Sequence, residues 1–228
     1  MIKQNVLDYF TDSYHETFRW PEMSAPVWDR KIVEYSLTFK PQLLGDLGLP
    51  TGRIVASDPL VFFDQPPFVA EVPPGRYEVI VSVASIANVE RVVAFAMLKF
   101  GSLDRIASWK HLETHQWPGG PGGQTSHYGV DSGTGCFMDL ATQTHLSELL
   151  QDPAYDEFFC EELQKPYSSD KFCWLNHTLA GHIENNVIAF TSGWGDGGYS
   201  TYAGIDSANK PACFITDFDI VHYIDETG

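Results

Sequence analysis

The stretch PPFVAEVPPGRYEVIVSVASI, residues 66–86, sets the fold class of this chain. After the turn signal Pro73-Pro74-Gly75, the residues Tyr77, Val79, Val81 and Val83 fall on every second position. Proline followed by glycine is turn chemistry, because proline presets φ and glycine accepts a left-handed backbone. A period of two puts one row of side chains on one face, the mark of a half-buried strand. ERVVAFAMLKF, 90–100, is a nearly continuous apolar run and reads as the next strand, internal to a sheet, with Asn88 near the connection. The two form an antiparallel pair or a meander.

Working outward, the same signals recur on both sides. Upstream, DRKIVEYSLTFKP (29–41) partly alternates through Ile32, Tyr35, Leu37 and Phe39, and RIVASDPLVFF (53–63) reads as one strand broken at Asp58-Pro59. Val6–Phe10 opens a short helix. Downstream, NNVIAFTSGW, YSTYAGID and KPACFITDFDIVHY read as strands, with SANK (207–210) as a hairpin turn. Between them, DLATQTHLSELLQDPAYDEFFCEELQ (139–164) has helical spacing. Leu146, Leu149 and Leu150 share a face, as do Tyr155, Phe158, Phe159, Glu162 and Leu163. Asp152-Pro153 suits a helix start. The expectation is a beta-rich α+β fold of antiparallel sheets in sandwich-like packing, with a short helical insertion near 144–163. Residues 1–50 read as an N-terminal extension packed on a main domain of 51–228.

The chain has 228 residues, enough to bury its own core, and 43% apolar with 19% charged residues is a globular composition. Its net charge is -16, from 30 acidic and 14 basic residues. Such a surface repels nucleic acid and anionic membranes and suits a basic partner. No secretory signal and no run of about 18 apolar residues is visible, so a cytoplasmic protein is expected. The four cysteines, Cys136, Cys160, Cys173 and Cys213, form no CxxC pair and read as reduced thiols.

Two phrases rich in glycine, aspartate and aromatics stand out: YGVDSGTGCFMDL (128–140) and SGWGDGGYSTYAGID (192–206). The tract PGGPGG (118–123), too rich in glycine and proline for a regular element, runs up to the first as a loop or linker. The phrases are expected to lie side by side, and three readings stay open. In the first they shape turns: glycines accept positive φ, aspartates accept backbone N–H groups, and Asp139 caps the following helix. Trp194, Tyr199 and Tyr202 then meet Tyr128 and Phe137 in an aromatic corner. In the second they hold a hard cation through carboxylates, chiefly Asp131, Asp139 and Asp196, with Asp206, Asp217 and Asp219 nearby and His127, His177 or His182 as added ligands. Neither a calcium-loop pattern nor an HExxH spacing is present.

In the third reading they form a hydrolase site. Cys136 with His127, oriented by Asp131 or Asp196, makes a thiol nucleophile; Ser192 is the serine version, and Asp131 with Asp196 is a carboxylate pair for acid–base chemistry. No GxSxG accompanies Ser192.

DPLVF, VPPGRYEV, YGVDSGTGCFMD, FTSGWGDGGYSTYAGID and ITDFDIV, in that order, resemble the bacterial family named domain of unknown function 4241 over residues 50–221. Ser132 stands where that family usually has alanine, and Ser200 where it has proline. The resemblance assigns no catalytic residue. Some members sit among toxin and immunity genes, which implies an immunity role.

The leading expectation is therefore a non-enzymatic acidic binding protein, an immunity protein that neutralises a cognate basic toxin by occluding its active site. It needs no cofactor. DPAYDEFFCEEL supplies the contact: Asp152, Asp156, Glu157 and Glu161 face the partner, while Tyr155, Phe158 and Phe159 face the core. Aromatics exposed beside the acids would anchor it. The alternative is the hydrolase between Tyr128–Asp139 and Ser192–Asp206.

Overall fold

The computed structural model describes residues 6–12, 14–21, 32–61, 64–86, 90–116, 125–164, 172–182 and 184–221. Asn88, the PGGPGG tract and Lys165 lie outside them.

Among the described residues, twelve strands and two α-helices follow in order: β1 (Tyr14–Pro21), β2 (Ile32–Leu49), β3 (Ile54–Ser57), β4 (Gly75–Ile86), β5 (Glu90–Lys99), β6 (Ile106–His111), β7 (His127–Val130), β8 (Thr134–Asp139), α1 (Leu140–Leu149), α2 (Pro153–Gln164), β9 (Trp174–Thr178), β10 (Asn186–Thr191), β11 (Gly197–Asp206) and β12 (Pro211–Asp217). They make two sheets. The larger has eight strands in the order β1-β2-β4-β5-β12-β11-β6, with β7 also paired to β11; the smaller runs β3-β8-β10-β9. Every pairing is antiparallel. This is the beta-rich, sandwich-like α+β architecture that the alternation predicts.

The period of two explains the layers. On β4, Val79, Val81 and Val83 point into the core between the sheets, where they meet Phe137, Ile188, Phe190 and Phe214. The opposite row, with Ile80 and Ala84, joins a second apolar layer covered by Val6 and Tyr9 of a 3-10 turn, Val6–Phe10. β4 is thus covered on both faces. The outer face of the small sheet carries Val55, Cys136, Met138, Val187 and Ala189, and the helices cover it through Leu146, Phe159 and Leu163. Among the described residues no helix is long and apolar enough to cross a membrane.

The helices begin where their caps stand. Asp139 accepts from Ala141 N, so α1 starts at Leu140, before the expected residue 144. Asp152 accepts from Ala154 N at 3.0 Å and opens α2, as Asp-Pro predicts.

β2 overrides its own punctuation. Glycine and proline suggest breaks after Pro41, yet the strand runs on to Leu49 along β4. Pro41 lies just past Phe39, the last residue paired with β1, where among the described residues one side of β2 has no strand to donate to. Gly45 sits at a register shift with φ +127°, and a Cβ there would come within 2.5 Å of the Asn176 amide. Only glycine fits such a bulge. The boundary expected at residue 50 therefore falls at the end of a strand of the large sheet.

Past the bulge, β2 is tied to the small sheet by one buried side chain. Asn186 Oδ1 accepts from Gly48 N at 2.8 Å, and its Nδ2 donates to Asp46 O at 3.0 Å and Asn176 Oδ1 at 2.8 Å. Asn186→Ala orphans these groups and is expected to cost about 2–3 kcal/mol in urea unfolding, several times an ordinary surface substitution. A loss below about 0.5 kcal/mol would mean that water replaces the amide.

Candidate functional site

The two phrases meet as strands. β7 of the first phrase pairs β11 of the second from Gly197↔Val130 to Ser200↔His127, and β8 pairs β10, which ends just ahead of the second phrase, from Thr191↔Thr134 to Ile188↔Phe137. Their loops touch directly: Ser192 N donates to Gly133 O at 3.1 Å.

The first loop is built on a residue outside both phrases. Asp58 is fully buried. Its Oδ2 accepts from Asp131 N at 2.9 Å and Ser132 N at 2.7 Å; its Oδ1 accepts from Ser132 Oγ at 2.8 Å and Leu60 N at 2.8 Å. One carboxylate thus holds the turn after β7 and the turn after β3. In the linear sequence Asp58 stands only as a strand breaker before Pro59. Its aspartate-before-turn chemistry is the visible signal; its partners 73 and 74 positions away are not.

The second loop closes on itself. Ser192 Oγ donates to Gly195 O at 2.9 Å, Gly195 N to Ser192 O at 2.7 Å, and Tyr199 Oη to Gly195 O at 2.7 Å. Gly193 has φ +49°, and a Cβ there would lie 2.7 Å from Phe218 O, so backbone must approach backbone. Tyr199 also packs edge-on against Phe218, centroids 4.9 Å apart.

The aromatic corner forms only in part. Tyr128, Phe137 and Tyr199 enter the core between the sheets. Tyr202, three positions from Tyr199, points to the opposite face and packs against His111, centroids 4.1 Å apart. An odd spacing on a strand reverses the face. Trp194 is 42% exposed. The Tyr128 hydroxyl is buried beside Thr216 without a well-formed hydrogen bond, and burial raises its pKa.

The proposed catalytic residues are dispersed. Cys136 lies on the outer face of β8, fully buried beneath the helices, with Ser57 Oγ 3.6 Å from its sulfur. Burial pushes its thiol up to about 12, opposite to what a nucleophile needs. His127 is exposed at the edge of the large sheet. Asp131 and Asp196 are exposed on their loops, and Ser192 is buried. Asp139 accepts from Thr51 Oγ1 at 2.9 Å in addition to capping α1. Among the described residues no three histidine, cysteine, aspartate or glutamate side chains group as metal ligands, and the set Asp131, Asp139 and Asp196 is no exception. His177 meets Tyr155 Oη at 2.9 Å, and His182 stacks on His145 with centroids 3.9 Å apart. Asp206 accepts from Ala208 N and Lys210 N, both at 2.8 Å, and so shapes the β11–β12 turn. A groove of about 650 Å³ lies elsewhere, between α1 and residues 64–67, lined among others by Arg53, His115 and Gln143.

The family model described as "Protein of unknown function (DUF4241)" matches residues 47–216, most of the chain. The chain belongs to this family. No curated protein and no solved structure matches it. In this DUF4241 protein the matched span covers Asp58, both loops and both helices, while β1 and most of β2 precede it.

A separate surface of this DUF4241 chain, on α2, is acidic. On α2, Asp156, Glu157 and Glu161 are exposed, as is Asp152 at its cap. Phe159 is fully buried, but Phe158 is 44% exposed and does not join the core as expected. Positions 158 and 159 differ by about 100° around the helix, so one ring points in and the other sideways. The sideways ring stands over His177 of β9, centroids 6.0 Å apart.

Proposed function

We propose that this protein is a non-enzymatic binding protein that meets a basic partner through α2, most concretely an immunity protein that occludes the basic active site of a cognate toxin in the cytoplasm. The carrying observation is Phe158, an aromatic ring left 44% exposed on a helix whose exposed charges, Asp156, Glu157 and Glu161, are all acidic and which has no lysine or arginine. Aromatic side chains are common anchors of binding hot spots, and carboxylates on the same helix add attraction for a basic partner. Like charges four apart, as at Glu157 and Glu161, cost a helix about 0.2–0.5 kcal/mol, a repulsion that a basic partner would relieve. The net charge of -16 adds a long-range field that steers a basic partner. A toxin that handles nucleic acid has a basic cleft, and a row of carboxylates can stand in for phosphates there. The hydrolase reading draws less support, since Cys136 and Ser192 are both buried.

Capture from the native host followed by mass spectrometry supplies the partner. The triple variant D156K/E157K/E161K is then expected to slow association at least tenfold at low salt, with an unchanged thermal midpoint, and high salt should slow the native protein likewise. Asp152 is left in place because it caps α2. An association rate indifferent to both the reversal and salt would remove the acidic helix from the interface.

A further inference from the structure

β9 is an edge strand of the small sheet, paired on one side with β10. The hydrogen-bond parity of the pair shows which backbone groups it leaves over. Thr191 N donates to Cys173 O at 3.0 Å and Leu179 N to Asn185 O at 3.0 Å, immediately before and after the strand. In an antiparallel ladder, bonded and non-bonded pairs alternate. Leu175 and His177 therefore bond β10, and the N–H and C=O groups of Trp174, Asn176 and Thr178 point outward. Among the described residues nothing pairs with them.

The other sheet edges are guarded. The outer side of β3 is covered where Phe68 N donates to Ile54 O at 2.8 Å and Val72 N to Gly52 O at 3.0 Å. β1 contains Glu16, Arg19 and Pro21. β6 carries Lys110, and its pairing slips opposite Ile205 and Asp206. β7 is only four residues long. Short strands, charges, prolines and bulges are the devices that keep an edge from accepting another strand. WLNHT, the sequence of β9, is five residues long but contains no proline, lysine, arginine, aspartate or glutamate, and its pairing with β10 is regular from end to end. Trp174, at its start, is 38% exposed.

α2 crosses this strand. Tyr155 Oη bonds His177 Nε2, and the exposed Phe158 stands beside the same imidazole. A strand added outside β9 would run past the acidic helix. We propose that β9 is the docking edge for an extended, lysine- or arginine-rich segment of a protein partner, which adds a fifth strand to the four-stranded small sheet. This rests on the reading of α2 as the partner-binding helix and states how the partner engages. Backbone pairing supplies affinity, and the carboxylates of Asp156, Glu157 and Glu161 select basic side chains. A second copy of this chain is disfavoured as occupant, because it brings the same acids and its own net charge of -16 to the contact.

The test uses the full chain and a synthetic extended peptide in which lysine alternates with valine and threonine. The peptide should bind, and amide exchange followed by NMR should slow at least tenfold at Trp174, Asn176 and Thr178 while Ile106–His111 stays unchanged. The same peptide N-methylated on alternate backbone nitrogens should not bind. Thr178→Pro removes an outward N–H without touching the β10 ladder; it should weaken binding about three- to tenfold at an unchanged thermal midpoint. Failure to bind, or protection that appears at another edge, overturns the proposal. So does protection of the same amides by concentration-dependent self-association, which would assign the edge to a second copy. Binding that responds to Thr178→Pro but not to the α2 reversal would keep the edge and reject the charge reading; the converse would keep α2 and reject strand addition.

Discussion

Asp58→Ala should be among the most damaging single substitutions in the molecule, lowering stability by about 4 kcal/mol or more. The Asp58 carboxylate is fully buried and takes four close hydrogen bonds, three of them from backbone N–H groups. A bond to a charged acceptor contributes about 1.5–3 kcal/mol, and each N–H left buried without a partner adds a desolvation cost. The turn at Asp131-Ser132 and the turn at Pro59-Leu60 should loosen together, because one carboxylate serves both. In a chain of this length the thermal midpoint should fall by about 8–16 °C. Asp58→Asn keeps one acceptor but presents an amide to the N–H groups of Asp131 and Ser132, so it should fall between wild type and Asp58→Ala. A midpoint within about 2 °C of wild type for the alanine variant would show that Asp58 is not the organiser of the loop pair.

Asp217→Asn should act in the opposite direction and stabilise the protein above neutral pH. Burial raises the Asp217 carboxyl from its ordinary 3.8 to about 7, the nearby Asp219 carboxylate pushes the same way, and the Asp219 N–H donated to it at 3.0 Å opposes them. Between about pH 4 and pH 7 the folded chain keeps a proton that the unfolded chain has released. Stability from this group is therefore greatest at the acid end of that window, falls as pH rises through it, and is lost above the folded pKa. Three units at about 1.4 kcal/mol each bring the penalty to about 4 kcal/mol at pH 8. Asparagine keeps the acceptor for Asp219 N and removes the buried charge. Urea midpoints of both proteins at pH 5 and pH 8 check this: the variant should gain mainly at pH 8, and the difference between the two should shrink toward pH 5. An equal loss at both values would mean that the charged carboxylate is a favourable part of the outer face.

Short-range regularities wrote most of the architecture where it could be read. Alternation at Tyr77–Val83, the apolar run at Val92–Leu98, and the Asp152-Pro153 start each depend on residues a few positions apart, and the β4, β5 and α2 they foretell are all present. The likeness of the two glycine-rich phrases also foretold that they lie side by side, although the cover expected for both reaches Phe137 and not Trp194, which stays 42% exposed. What escaped the linear reading lies in contacts between distant positions. Pro41 and Gly45 look like breaks until β4 pairs alongside and Asn176 crowds the bulge. Tyr199 and Tyr202 look equivalent until β11 assigns them opposite faces. Asp58 looks like a turn residue until Asp131 and Ser132 arrive to be bound. Phe158 looks like core, and Trp174–Thr178 goes without a strand assignment, until the helix is laid over the sheet edge and, among the described residues, one ring and one row of backbone groups remain uncovered. Local chemistry sets which conformations a segment favours; which polar groups find partners, and which surfaces are left for another molecule, depends on how the finished layers meet.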